Sequence, residues 1–213
     1  MKKILLIGDS IRMGYDKYVK EALSNVADVY YPDENCKFAV YVLRFAHEWK
    51  EKLGLDDSVD LVHWNAGLWD MLELFGDAPL TSIDYYGEAI GRIHARLRSL
   101  FPKAKIIFAT STAVIDGAAK VLKRHNNVIK RYNDRALEAL KDKDCSINDL
   151  YSITINCPES YHSDPTHYYT PAATEMIGGK VLAAICKELG IAAKDVNIEN
   201  FEPEKYSAAN IGG

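Results

Sequence analysis

The segment "ILLIGDSIRMG", residues 4–14, carries the local signal that decides the fold. Its four apolar residues, 4–7, predict a buried strand, because continuous apolar runs are typical of strands covered on both faces. Gly8, Asp9 and Ser10 then end the strand, since small and polar residues favour turns and helix N-caps. In open α/β sheets, ligands bind at such strand ends. The segment therefore indicates an α/β protein with Ser10 at a candidate functional site.

The rest of the chain repeats this alternation of apolar runs and helix-period segments. Five strands are predicted, the last of them weakly, at Lys3–Ile7, Val26–Tyr31, Val59–Ala66, Lys105–Thr112 and Ser146–Leu150. Helices are predicted around Tyr15–Ser24, Val40–Leu53, Ile83–Leu100, Asn126–Leu140 and Pro171–Leu189. Continuous apolar strands separated by helices imply a parallel sheet with helices on both faces, because the crossovers are right-handed. The predicted fold is an α/β protein, a three-layer α/β/α sandwich on a parallel five-stranded sheet.

Two domain assignments follow from composition. Residues 1–190 form one domain, and the more polar residues 191–213 form a peripheral, partly disordered tail that Phe201 and Tyr206 could attach to the body. The stretch "KVLKRHNNVIKRYNDR", residues 120–135, resembles a basic patch. Its apolar residues recur at helical spacing, which favours a solvated helix face over an anion site.

Charge and cysteine usage exclude several classes of partner. With 26 Lys and Arg against 30 Asp and Glu, the chain lacks the basic excess typical of nucleic-acid binding. No segment approaches the roughly 20 apolar residues of a membrane span, so no membrane partner is expected. Four scattered cysteines indicate free thiols and a cytoplasmic protein. The cysteines have no metal-ligand spacing, and His162, Asp164 and His167 lack a further ligand cluster, so neither a metal nor a cofactor is predicted.

The polar residues after the strands include the parts of a serine hydrolase. Ser10 starts a helix, where free N–H groups favour developing negative charge. Asp164 and His167 lie three residues apart in "HSDPTHYYTP", residues 162–171, where the carboxylate can orient the imidazole. A hydroxyl, an imidazole and an orienting carboxylate are what nucleophilic catalysis on an ester requires.

These two blocks resemble the SGNH hydrolases, the GDSL family of esterases and lipases. The resemblance covers residues 3–189, with Gly8-Asp9-Ser10 as the first block and Asp164-Pro165-Thr166-His167 as the last. It implies a flavodoxin-like sandwich in which Ser10 is the nucleophile, His167 the general base and Asp164 its orienting partner.

The middle blocks depart from the family pattern. The second block, "PDENCKFA" at residues 32–39, has no glycine, so Asn35 and Cys36 take the position that would give a backbone N–H to the oxyanion. The third block, Gly67-Leu68-Trp69-Asp70, has Trp69 in place of the family asparagine. Asn65 could supply the missing amide, and the Trp69 indole N–H is the alternative. The predicted oxyanion hole is therefore Ser10, Asn35, Cys36 and Asn65.

The substrate is predicted from the residues near these loops. Asp9, Trp69 and Tyr168 are candidate substrate-binding residues, since aromatic faces suit a sugar ring or an acyl pocket. The preferred substrate is a small-molecule or carbohydrate ester with a short acyl group such as acetyl. Lysophospholipase or thioesterase activity is the alternative within enzymes. A non-catalytic carbohydrate-binding module is the alternative outside them, because fold alone does not guarantee activity. A flavodoxin-like nucleotide binder is disfavoured, because the first loop has neither a GxGxxG motif nor a P-loop.

Overall fold

The computed structural model describes residues 1–201. Its strands are β1 (Lys2–Ile7), β2 (Ala27–Tyr30), β3 (Leu61–Trp64), β4 (Glu73–Leu74), β5 (Lys105–Ala109), β6 (Leu122–Lys123) and β7 (Ser146–Asn148). Its helices are α1 (Ser10–Met13), α2 (Asp16–Leu23), α3 (Ala39–Lys52), α4 (Ile83–Leu100), α5 (Asn126–Leu140), α6 (Tyr151–Thr154) and α7 (Pro171–Leu189). Two short 3₁₀ helices lie at Glu159–Tyr161 and Ile198–Asn200.

The main sheet is five-stranded and parallel, in the order β2-β1-β3-β5-β7. This is the flavodoxin-like order. The chain adds β2 on one side of β1 and all later strands of this sheet on the other side, so the switch point lies between β1 and β3. The register pairs Ile7 with Trp64, and the Asn65 N–H donates to the Ile7 carbonyl at 3.0 Å. The ends of β1 and β3 therefore lie side by side at the switch point. The predicted α/β/α sandwich is confirmed.

The five predicted strands and five predicted helices all occur, with shifts of one to three residues at some ends. β1 forms because residues 4–7 are wholly buried between the helical layers. α7 begins at Pro171, where the Thr170 hydroxyl accepts from the Ala173 N–H, and ends at Gly190 in the left-handed conformation with φ 63°. Thr170 and Gly190 are thus the cap residues that the sequence predicts.

The structure differs from the prediction in the basic stretch. Leu122–Lys123 forms β6, which pairs antiparallel with β4 in a separate two-stranded sheet, and α5 begins only at Asn126. The prediction of one solvated helix face over residues 120–135 is therefore wrong for its first six residues. Two-residue strands leave too little periodicity to be predicted, because their pairing depends on tertiary contacts.

The described part of the tail packs on α2. The Lys194 N–H donates to the Ala22 carbonyl at 2.9 Å, and its ammonium group pairs with Glu21. The Phe201 ring lies edge-on to Tyr18 at 5.6 Å between centroids. Tyr206, with the rest of residues 202–213, lies outside the described residues. Within residues 1–201, no helix is both long and apolar enough to cross a membrane.

Candidate active site

Ser10 lies at the first position of α1, separated from the end of β1 at Ile7 by Gly8 and Asp9. The Asp9 side chain caps this helix by accepting from the Ile11 N–H at 3.0 Å. The first N–H groups of a helix have no intrahelical acceptor, so the Ser10 N–H is not used by the helix itself. The short turn thus presents both a hydroxyl and a backbone donor at the edge of the sheet.

Asp164 and His167 are held by one tight loop before α7. One Asp164 oxygen, Oδ1, accepts from the backbone N–H groups of Thr166 and His167 at 2.8 and 2.9 Å. The other oxygen, Oδ2, accepts from His167 Nδ1 at 2.6 Å. Burial would raise the pKa of Asp164, but the His167 side chain and the two backbone N–H groups outweigh it and lower the pKa to about 2. The carboxylate therefore stays ionised and holds Nδ1 as a donor.

The structure brings Ser10 and His167 together although 157 residues separate them. The Ser10 hydroxyl donates to His167 Nε2 at 2.9 Å, because Nδ1 carries the proton that the carboxylate binds. The Tyr169 ring stacks on the imidazole, with 5.0 Å between the ring centroids and 20° between the ring planes. The Tyr169 hydroxyl donates to the Ser10 carbonyl at 2.7 Å. Ser10, His167 and Asp164 thus form one hydrogen-bonded chain.

Asn65 follows β3 and lies against the backbone of the β1 turn. A Cβ atom on Gly8 would lie 2.1 Å from Asn65 Oδ1, so this close approach requires glycine. The Asn65 side chain also lies beside the Asp9 carboxyl. Burial raises the pKa of this carboxyl above its usual value, and the Asn65 amide offsets only part of the rise. Asn65 is therefore held within reach of the Ser10 turn.

The second block places its residues differently from the prediction. The Cys36 N–H donates to the Gly8 carbonyl at 3.1 Å, and the side chain is wholly buried. Cys36 therefore has no free N–H for an oxyanion, and this part of the prediction is wrong. Asn35 Oδ1 accepts from the Lys37 N–H at 3.0 Å, and the left-handed conformation falls on Lys37 with φ 47°.

Two of the three candidate substrate-binding residues have little or no exposed surface. Asp9 is 0% exposed and Tyr168 is 3% exposed, with the Tyr168 hydroxyl donating to the Ala113 carbonyl at 2.9 Å. The prediction for Asp9 is wrong, because its carboxyl is enclosed and caps α1. The Tyr168 hydroxyl supports the loops from inside, and a part for this residue in substrate binding stays a prediction. Trp69 is half-buried and meets the Phe38 ring edge-on at 5.5 Å. It remains a candidate.

Arg124 is a candidate that sequence reasoning missed. It directly follows β6, and its Nε donates to the Leu68 carbonyl at 2.5 Å. One terminal nitrogen, Nη1, lies 3.4 Å from the Thr166 hydroxyl, next to His167. The guanidinium thus lies between the third-block loop and the Asp164–His167 loop. The only sequence signal was the basic stretch itself.

The fold has clear neighbours among solved structures. A lipase/acylhydrolase from Enterococcus faecalis is 19% identical, with a TM-score of 0.67 and 92% of this chain and 100% of that chain covered. A GDSL-like lipase from Bacteroides thetaiotaomicron is 18% identical, with a TM-score of 0.66 and coverage of 87% and 88%. An acetyl xylan esterase, AlAXEase, is 16% identical, with a TM-score of 0.66 and coverage of 86% and 99%.

Comparison by sequence alone identifies no related protein. The chain matches no protein-family profile, and the search of curated proteins finds no relative. The structural neighbours therefore establish the fold, and the motif blocks at Ser10 and His167 fall where that fold brings them together. The chain has the fold of the SGNH hydrolases, the GDSL-like lipases and esterases.

Proposed function

We propose that this protein is a serine esterase that hydrolyses carboxylic esters through an acyl-serine intermediate. The observation that carries the proposal is the hydrogen-bonded chain from Ser10 Oγ through the His167 imidazole to the Asp164 carboxylate, at 2.9 and 2.6 Å. A nucleophile, a base and an orienting group at these distances are what acyl transfer requires. The fold of its esterase and lipase neighbours agrees with this chemistry.

Each residue has a distinct part in the proposed reaction. His167 Nε2 takes the proton of Ser10 as the oxygen attacks the ester carbonyl, and then gives it to the leaving alcohol. Asp164 keeps Nδ1 protonated and stabilises the imidazolium. The proposed oxyanion donors are the backbone N–H of Ser10, the side-chain amide of Asn65 and the backbone N–H of Asn35. A water molecule activated by His167 then releases the acid from Ser10.

We propose a short acyl group, acetyl above all, and a carbohydrate as the candidate alcohol. The acetyl xylan esterase among the structural neighbours supports this choice. The half-buried Trp69 beside Phe38 offers an aromatic face of the kind that packs against sugar rings. A lysophospholipase or thioesterase would instead prefer a long acyl chain or a thioester.

The test compares Ser10→Ala with the wild type on 4-nitrophenyl acetate and 4-nitrophenyl octanoate. We expect kcat on acetate to fall on the order of 10⁴-fold or more, because the nucleophile is removed. The wild type should prefer acetate. A fluorophosphonate probe should add its mass to the wild type and not to Ser10→Ala.

The matched control is Ser24→Ala, which removes an exposed hydroxyl at the end of α2. It should keep both the activity and the labelling of the wild type. Equal hydrolysis by wild type and Ser10→Ala would overturn the proposal. Binding of an acetylated sugar without turnover would favour the non-catalytic carbohydrate-binding module.

A further inference from the structure

Arg124 is a cation at the candidate active site that the proposed reaction does not use. Its neighbours in the chain, Leu122 and Lys123, pair with Glu73 and Leu74. This small sheet sets the direction in which the chain enters α5. The Nε bond to the Leu68 carbonyl then fixes the guanidinium over the third-block loop. Its position is therefore built by the fold and is not that of a mobile surface side chain.

The charge of Arg124 is not paired within the protein. Among residues 1–201, no carboxylate oxygen lies within 4 Å of its guanidinium nitrogens, whereas eight ion pairs elsewhere involve a Lys or Arg at 3.2 Å or less. Burial lowers the pKa of Arg124, and the charges of Asp9 and Asp164 raise it. The effect of burial is the larger, and the pKa falls to about 10. The guanidinium thus stays charged at neutral pH although it is partly desolvated and lacks a direct counter-ion.

Arg124 has a donor group that is free to bind a ligand. In the described chain, the second terminal nitrogen, Nη2, has no acceptor, and it is not among the buried polar atoms that lack a partner. An atom that is neither bonded nor enclosed is in contact with solvent. Arginine presents its nitrogens as a planar fork that matches a carboxylate.

The position of the guanidinium indicates which part of a substrate it would meet. Nη1 lies against Thr166, the residue before His167. In the proposed reaction, His167 protonates the leaving alcohol, so the alcohol lies on the His167 side of the reacting carbon. A group bound by Arg124 therefore belongs to the alcohol rather than to the acyl chain.

We infer that Arg124 forms an anion-binding subsite that selects esters whose alcohol part carries a carboxylate or a similar anionic group. This inference rests on the proposed esterase function and specifies its substrate. Arg124 is here a specificity-determining residue, which binds the substrate at a distance from the reacting atoms.

The test uses two esters that differ by one methyl group, which removes the charge of the leaving group. 4-Acetoxybenzoate carries a carboxylate on its leaving group, and methyl 4-acetoxybenzoate is its neutral counterpart. The wild type should have the higher kcat/KM on the anionic ester. In Arg124→Gln, the ratio of anionic to neutral kcat/KM should fall about 10- to 100-fold, since a hydrogen bond to a charged group is lost. Arg124→Lys should give an intermediate ratio, because it keeps the charge and loses the fork.

Controls separate specificity from folding and from general electrostatics. Arg131→Gln removes an exposed arginine of α5 and should leave the ratio unchanged. Thermal unfolding of each variant shows whether loss of the bond to Leu68 destabilises the protein. A change in the ratio of two substrates is not produced by a smaller folded fraction.

Three outcomes would overturn the inference. A wild type without preference for the anionic ester would do so, as would an equal loss on both esters in Arg124→Gln. A preference that appears only with a carboxylate on the acyl side, 4-nitrophenyl hydrogen adipate against 4-nitrophenyl hexanoate, would contradict the placement on the alcohol. If neither wild type nor variant hydrolyses any ester, the esterase proposal itself fails, which is a distinguishable result.

Discussion

Gly8 is the residue at which the smallest change should have the largest effect on the site. In Gly8→Ala, the new Cβ would lie 2.1 Å from Asn65 Oδ1 and 2.7 Å from Arg12 Cβ. Asn65 must then move away from the Ser10 turn. We expect kcat for 4-nitrophenyl acetate to fall about 10²- to 10³-fold, the usual effect of losing one oxyanion donor. Overpacking should also lower the free energy of unfolding by about 1–3 kcal/mol.

The control for this substitution is Gly179→Ala in α7, where an added Cβ meets no atom within 4 Å. Alanine there should keep the activity and raise the free energy of unfolding by up to about 1 kcal/mol, because glycine is unfavourable inside helices. Steady-state kinetics and urea unfolding measure both effects. Full activity in Gly8→Ala would show that Asn65 does not serve the oxyanion.

At the scale of single residues, local motifs predicted Ser10, Asp164 and His167 as the residues that the fold brings together. Their chemistry is visible in a few neighbouring letters of sequence. Cys36 and Asp9 were assigned wrongly, because burial and the use of an N–H group by a distant carbonyl are tertiary properties. The same limit applies to Arg124, whose neighbours at the site come from elsewhere in the chain.

At the scale of elements, a buried ion pair connects the short helix α1 with α2. Arg12 and Asp16 are 1% and 3% exposed, and their side chains lie 2.5 Å apart. Arg12 also donates to the Glu34 carbonyl in the loop after β2. The pair therefore holds the Ser10 helix against both its successor and the second-block loop.

Asp16→Ala should lower the free energy of unfolding by about 3–5 kcal/mol, because it leaves the Arg12 charge buried and uncompensated. The double variant Arg12→Met with Asp16→Ala should lose less than the sum of the two single variants. Urea unfolding of the four proteins gives the coupling energy. The control is Asp134→Ala, which breaks the exposed Lys130–Asp134 pair of α5 and should cost at most about 0.5 kcal/mol. Additive losses at Arg12 and Asp16 would contradict this account.

The predictability of an element depends on its length. Ile83–Leu100, Asn126–Leu140 and Pro171–Leu189 have the predicted bounds, because several helical turns of periodic apolar residues define them. The pairing of Glu73–Leu74 with Leu122–Lys123 could not be predicted, because two residues establish no period. This small sheet nevertheless positions Arg124, so the least predictable element carries the proposed selectivity.

At the scale of the whole molecule, the sheet order brings the separate blocks to one edge. β1 and β3 are neighbours, so Ser10 and Asn65 follow adjacent strands. The third block adds Asp70, which is wholly buried and whose Oδ2 accepts from the Ala39 N–H at the start of α3 at 2.9 Å. Burial raises the pKa of Asp70 from 3.8 to about 7 against the hydrogen bonds that lower it. Asp70 therefore links the stability of the whole fold to pH.

The contribution of Asp70 to the free energy of unfolding should fall as pH rises from about 4 to about 7, because in this range the unfolded chain loses the Asp70 proton while the folded protein keeps it. Each pH unit corresponds to about 1.4 kcal/mol, so the total contribution is at most about 4 kcal/mol. Asp70→Asn cannot ionise and keeps an oxygen for the Ala39 N–H. Its free energy of unfolding minus that of the wild type should increase over this range and become constant above pH 7.

The control is Asp84→Asn, which changes an exposed carboxylate in the first turn of α4 and should show no comparable increase. Urea unfolding at each pH measures the difference, and a value for Asp70→Asn that does not vary with pH would show that Asp70 is ionised in the folded protein.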